Sequence, residues 1–281
     1  MGGMGRSGTT MLVNMLGLHP KLSPIYETDF IYELLKIYFY EPELSAEKKS
    51  SRFIRFLIDW SKNIGNFPDI KNKNEKYPIG FHRFAMDQKE LLELTKKFLL
   101  KFESLGSVKS IRWYLDKVFQ YHIKTDKAEF WLNKSPRYIS VVDSLDIIFP
   151  EMKFINCIRD GRGVLNSVKK VMGKTYNPEI IAKWWITALI RAEKFSEKCP
   201  EKIVNVYFEK MVEGNPGFLA EIIAFLGIKD CSGEIYRKLS DEYSIVFSKS
   251  RRRTWEKELP AEDIKVFESV AGEMLEKYGY S

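Results

Sequence analysis

The sequence predicts an α/β protein of three layers, a central parallel sheet flanked by helices, with a helical lobe inserted into the chain. Three observations lead there. The chain opens on "MGGMGRSGTTMLVNML", a glycine-rich turn that runs straight into an apolar helical pattern. Short β-type runs at 130–133, 152–158 and 202–208 are each followed by helical periodicity, and strands alternating with helices build a parallel sheet covered on both faces. From residue 29 to about 125, by contrast, apolar residues recur three and four apart without strand signals, the spacing of amphipathic helices.

Taken in order, "TTMLVNMLGLHP" sets Leu12, Met15 and Leu16 on one helical face, with Gly17 and Pro20 as stop signals. A second strand precedes Glu27 in "SPIYETDF". The lobe follows in "DFIYELLKIYFYEPEL", "SAEKKSSRFIRFLIDWSKNIG" and "DQKELLELTKKFLLKFESLG"; between the last two, "NFPDIKNKNEKYPIGFHRF" is rich in Asn, Pro and Lys and reads as an exposed loop. The runs "FWLN", "MKFINCI" and "KIVNVYF" are the remaining strands. "SPRYISVVDSLDIIF", "GRGVLNSVKKVMG" and "NPEIIAKWWITALIRAEKFSEK" supply crossover helices, and "GNPGFLAEIIAFLGI" is a helix opened by Pro216 and closed by Gly227. With no internal repeat of 20 to 50 residues, residues 1–281 read as one domain with a helical insertion at about 29–125.

Hydrophobic residues make up 44% and charged residues 30% of the chain, the balance of a soluble globular protein. No apolar run reaches the roughly 20 residues that span a bilayer, and no charged-then-apolar leader precedes the glycine turn, so a cytoplasmic location is expected. A net charge of +7 favours anionic partners, yet most lysines sit beside glutamates, as on solvated helix faces. Only "KSRRRTWEK" stands out as basic. The cysteines, Cys157, Cys199 and Cys231, lack any paired spacing, which points to reduced thiols rather than a disulfide framework or zinc site.

A glycine-rich turn that feeds a helix aims its backbone N–H groups at one centre, at the positive end of the helix dipole, and so binds anions. Gly5 and Gly8 allow close backbone approach, Ser7, Thr9 and Thr10 offer hydroxyls, and Arg6 a planar fork of donors. Gly3 to Gly8 has the spacing of the triphosphate loop G-x-x-x-x-G-K-[ST], but Thr9 stands where that loop needs its lysine. A kinase of the nucleotide type is weakened by that absence. The anion expected here is less charged than magnesium triphosphate.

"GMGRSGTTMLVNMLGLHP" resembles the 5′-phosphosulfate loop of sulfotransferases that use 3′-phosphoadenosine 5′-phosphosulfate (PAPS), in particular the Golgi carbohydrate and tyrosylprotein branches and their bacterial relatives. "INCIRDGRGVLNSVKK" is similar to the family's 3′-phosphate element, in which Arg159 closes a strand and Ser167 lies about two helical turns further on. Two anion sites suit PAPS, since a nucleoside triphosphate carries nothing at the ribose 3′ position. "WLNKSPRY" resembles the Lys-x-Pro element that sets Lys134 beside the transferring group, "VYFEKMVEGNP" the segment whose usual Tyr is replaced here by Phe208, and "RTWEKELPAEDIKVFESVAGEMLEKYGY" the closing Trp and helix. The resemblance implies a three-layer P-loop-type fold, PAPS as co-substrate, no metal, and a hydroxyl-bearing acceptor: carbohydrate, peptide tyrosine, lipid or small phenol. It implies a buried first strand too, for which four residues precede Gly5; either that strand is very short or the true start lies upstream.

Transfer to a hydroxyl needs its proton removed and the departing phosphate oxygen stabilised. The resemblance makes Glu27 the catalytic base, against the alternative that it caps the helix starting near Asp29, where acidic side chains are favoured anyway. Asp29 is the next candidate. His19 lies in a turn, and His82 and His122 have no motif around them. Lys134 and Arg6 are expected to take up developing charge; Gly5, Arg6, Ser7, Gly8, Thr9 and Thr10 to hold the 5′-phosphate; Arg159 and Ser167 the 3′-phosphate; and Phe208 to face the adenine. The run Lys249 to Arg253 reads either as a loop closing over the 3′-phosphate or as basic surface. Trp184 and Trp185 fall in a strongly helical stretch and read as packing residues. A basic module for nucleic acid or anionic glycan would need aromatics interleaved with cations along a face, which 249–255 alone offers.

Overall fold

The computed structural model describes residues 1–62, 64, 84–101, 108–241 and 252–280. His82, Lys249 and most of the Asn/Pro/Lys-rich loop lie outside the described residues. In chain order the elements are β1 (Gly2–Gly3), α1 (Thr9–Leu16), β2 (Leu22–Tyr26), α2 (Asp29–Phe39), α3 (Ala46–Ser61), α4 (Gln88–Lys101), α5 (Val108–Asp126) and β3 (Phe130–Lys134). There follow a 3₁₀ turn at Pro136–Val141, α6 (Val142–Ile148), β4 (Phe154–Ile158), α7 (Gly161–Met172), α8 (Pro178–Lys198), β5 (Ile203–Tyr207) and α9 (Phe208–Met211). The chain closes with α10 (Pro216–Leu226), α11 (Ser232–Asp241), α12 (Trp255–Glu258) and α13 (Ala261–Lys277).

All strand pairs are parallel. β1, β4 and β5 form one set in the order β1-β4-β5, and β2 pairs with β3. The sets meet where the Ser135 N–H donates to the Met1 carbonyl at 3.3 Å, so the lateral order across the molecule is β2-β3-β1-β4-β5. β1 is pressed against its neighbour: a Cβ on Gly3, whose φ is +134°, would lie 2.3 Å from the Cys157 carbonyl oxygen. Glycine meets both demands.

β4 explains the layers. All five of its residues are buried, and their alternation sends neighbours to opposite faces. Ile155 and Cys157 pack with Leu12, Leu219 and Ile235 of α1, α10 and α11. Ile158 packs with Trp185 of α8 and Phe267 of α13, while Phe154 joins a core shared with the helices between β2 and β3. Helix ends follow their sequence signals: Asn215 accepts from the Gly217 N–H at 2.9 Å ahead of Pro216 in α10, and Gly227 ends that helix at φ 74°. Among the described residues, no helix is long and apolar enough to cross a membrane.

Candidate active site

Every parallel strand delivers its carboxyl end to the same edge of the sheet. The turn of residues 4–8 follows β1, Glu27 follows β2, Lys134 ends β3, Arg159 follows β4 and Phe208 follows β5. β1 lies between β3 and β4, the point where strand order reverses and a crevice opens in sheets of this type.

Gly8 turns the chain into α1 at φ 90°, and a Cβ there would stand 2.6 Å from the Met211 methyl and 2.7 Å from the Phe208 ring. No side chain caps α1, and no acidic residue occupies its first turn, so its N-terminal dipole faces the crevice uncompensated. Ser7 is buried with its Oγ unpartnered, and Thr9 is buried. Thr10 Oγ1 accepts from Lys134 Nζ at 3.2 Å. A Cβ on Gly5 would meet no atom within 4 Å, so the turn is open on that side.

Arg159 and Ser167 come to the same turn from the far side. Arg6 Nε donates to Ser167 Oγ at 2.9 Å, and Arg159 Nη1 donates to the Arg6 carbonyl at 3.1 Å. The Arg159 guanidinium lies 4.1 Å from the centre of the Phe208 ring. Phe208 is therefore covered by Gly8 and Arg159, buried beneath the crevice. Burial pushes the Arg159 guanidinium below the ordinary arginine range, and its Nε has no partner. Two orphaned polar atoms therefore mark the site, Ser7 Oγ in the turn and Arg159 Nε on the side chain bonded to it, and buried polar atoms ordinarily find partners.

At the β2–β3 end Lys134, 1% exposed, forms an ion pair with Glu27, whose side chain is 36% exposed. Glu27 adopts φ 48°. Its N–H donates to the Lys134 carbonyl at 2.7 Å, and its carbonyl accepts from Trp60 Nε1 at 3.1 Å and from the Asp29 N–H at 2.7 Å. Thr28 occupies the N-cap position of α2 without a side-chain cap bond, and the Glu27 carboxylate pairs with Lys134. Asp29 accepts from Ser135 Oγ at 2.9 Å, and burial raises its carboxyl above the usual range.

The other candidates fall elsewhere. His19 Nδ1 accepts from the Lys21 N–H at 3.1 Å and Nε2 lies 2.9 Å from the Lys229 carbonyl, so the ring is held by backbone groups away from the crevice. His122 is buried on α5 beside Phe84. Trp184 is exposed, whereas Trp185 is buried and donates Nε1 to the Arg159 carbonyl at 3.0 Å. Of the basic run, Arg252 donates to the Glu209 carbonyl at 3.1 Å and Arg253 pairs with Glu256 at 2.5 Å. Sequence reasoning missed Trp60 and Glu209, which hold backbone groups of the site; only contact across 33 and 49 residues reveals them.

Two solved structures share this fold. The sulfotransferase domain from the Synechococcus PCC 7002 olefin synthase superposes with a TM-score of 0.55 at 18% identity, covering 96% of this chain and 92% of that one. The sulfotransferase domain from the curacin biosynthetic pathway gives 0.56 at 16% identity, covering 100% and 99%. No curated protein matches the sequence. The model of the sulfotransferase family matches residues 1–231, most of the chain, with the turn, Lys134, Arg159 and Phe208 all inside it, and the protein therefore belongs to the sulfotransferase family.

Proposed function

We propose that this sulfotransferase takes its sulfuryl group from PAPS and passes it to a hydroxyl acceptor, with Glu27 as general base. The observation that carries the reading is the convergence, at one edge of the sheet, of an uncapped helix N-terminus, two orphaned buried polar atoms and a Lys–Glu pair. The fit to PAPS rests on those atoms: Ser7 Oγ belongs to the turn itself and Arg159 Nε to the side chain that reaches the turn from the end of β4, two separate groups for a ligand with two separate phosphates. Bound there, PAPS supplies an activated sulfuryl group on a phosphate leaving group.

The chain's own residues divide the remaining work. Gly5, Ser7, Gly8, Thr9 and Thr10 present N–H and hydroxyl groups to the 5′-phosphate, and Arg159 and Ser167 bind the 3′-phosphate. Arg6, joined to Ser167 through its side chain and to Arg159 through its carbonyl, sits between the two groups and answers negative charge at the turn. Glu27 receives the acceptor's hydroxyl proton, while the Lys134 ammonium, within reach of both Glu27 and Thr10, stabilises charge developing at the mouth of the turn. Phe208 braces Arg159 from below.

The test is thermal stabilisation by the desulfated product, 3′-phosphoadenosine 5′-phosphate, without magnesium. A ligand that binds only the folded state raises its melting temperature, and micromolar product is expected to do so well beyond ATP. Equal or greater stabilisation by magnesium-ATP would overturn the donor assignment and favour a phosphotransferase site. Arg159→Ala is expected to weaken product binding by about 1.5 to 3 kcal/mol, the range for hydrogen bonds to charged groups.

A further inference from the structure

The peptide bond joining Arg159 to Asp160 is gripped from both sides. Its carbonyl accepts from Trp185 Nε1 at 3.0 Å, and its N–H donates to Glu209 Oε1 at 3.0 Å. Glu209 stands one residue past Phe208, whose ring supports the Arg159 guanidinium. Its other oxygen, Oε2, accepts from the Tyr280 hydroxyl at 3.1 Å. The Tyr280 carbonyl in turn accepts from Arg162, which pairs with Asp160 at 2.9 Å and Glu268 at 2.8 Å and lies 4.0 Å from the centre of the Trp255 ring. Tyr280 lies beyond residues 1–231, the part the family model matches.

We infer that Glu209 and Tyr280 are positioning residues of the donor site, which hold the end of β4 so that Arg159 faces the turn of residues 4–8. Arg159 has a long side chain on a strand end, and an arginine must be pre-organised to bind a phosphate without a large loss of conformational freedom. Fixing both polar groups of the 159–160 peptide sets the direction from which the side chain leaves the strand. Tyr280 donates one hydrogen bond to Glu209, and that bond holds the carboxylate in the plane that reaches Asp160. The C-terminal residues after α13 thus control an anion-binding side chain at the end of β4, 121 positions earlier in the sequence.

The inference rests on the PAPS reading, and titration calorimetry with 3′-phosphoadenosine 5′-phosphate separates the two. Tyr280→Phe, which keeps the ring and removes the hydroxyl, is expected to weaken product binding by about three- to tenfold, the effect of one hydrogen bond. Glu209→Ala is expected to weaken it by about tenfold or more, and Glu209→Gln, which still accepts from the Asp160 N–H, to restore affinity to within about threefold of wild type. In an Arg159→Ala background Tyr280→Phe should change nothing further, because its effect passes through Arg159. Wild-type affinity in folded Tyr280→Phe and Glu209→Ala overturns the inference alone. So does an equal loss with and without Arg159, which marks a purely structural role. Absence of product binding to the wild-type protein overturns the donor reading and the inference together.

Discussion

Glu27 carries a left-handed backbone, φ 48°, on a side chain with a Cβ, a conformation that costs about 1 to 3 kcal/mol and persists where the surroundings impose it. Here Lys134 and Trp60 hold its N–H and carbonyl, and its carboxylate pairs with the Lys134 ammonium. Glu27→Gln is expected to lower turnover by about 10²- to 10⁴-fold with little change in product affinity; a variant that keeps more than about a tenth of wild-type turnover, well above what loss of a general base leaves, would move the role to Asp29. Gly8 is constrained twice, by φ 90° and by the contacts a methyl would make with Met211 and Phe208. Gly8→Ala should therefore cost about 1 to 3 kcal/mol in a urea titration, and calorimetry should show product binding lost with it. The resemblance pointed to Arg159 and Ser167 as a pair, and both are bonded to Arg6. Trp60 and Glu209 were not legible in the sequence, because their partners are brought to them by packing.

At the level of elements, α7 shows how a helix start is made to serve a neighbouring strand. Asp160 accepts from the Arg162 N–H at 2.9 Å, which caps the helix, and its carboxylate also takes two bonds from the Arg162 guanidinium. Both side chains are under a tenth exposed. Removing one partner of a buried pair leaves the other desolvated and uncompensated, at about 3 to 5 kcal/mol. Asp160→Ala should fall at the lower end, about 3 kcal/mol by urea denaturation, because Glu268 still pairs with Arg162. Asp160→Asn, which keeps the cap, should lose less. The helix itself was predicted from its apolar spacing and the glycines of "RDGRG", but the motif did not reveal that its second arginine serves the C-terminal segment while its first serves the crevice.

For the whole molecule, one core joins the inserted helices to the sheet: Leu34, Phe53, Leu91 and Tyr114 belong to the same cluster as Phe154 of β4 and Phe195 of α8. Shared burial couples their unfolding, so a calorimetric scan should give a single transition, and a lobe excised as residues 29–125 should not fold alone. Two separable transitions would show the lobe to be an independent unit. Stability should also depend on pH through Glu209 and Asp29, both raised by burial above their unfolded values. Between the unfolded and the raised folded pKa the native state binds more protons, so their contribution is present below the ordinary carboxylate range and is lost as pH rises through the folded value. Glu209→Gln should thus gain stability relative to wild type on going from about pH 4, near the unfolded glutamate value, to neutral pH. Melting temperatures compared at the two values check the sign.

The sequence by itself determined the α/β class, the turn that ends in the helix of Thr9–Leu16, the strands at Lys134 and Arg159, and the helices between Glu27 and Phe130. Each of these is set by local rules: glycine where the backbone turns, unbroken apolar runs where a strand is buried on both faces, three-and-four spacing where a helix is half-covered. Tertiary structure alone decided that β1 would lie between β3 and β4, that Phe208 would be sealed beneath Arg159, that His19 would bond the Lys229 carbonyl, and that Tyr280 would reach Glu209. Those contacts join residues 49 to 210 positions apart, or depend on which strand stands beside which. No periodicity encodes them, because they arise only when the layers close and each buried polar group must find a partner among the residues that packing has brought within reach.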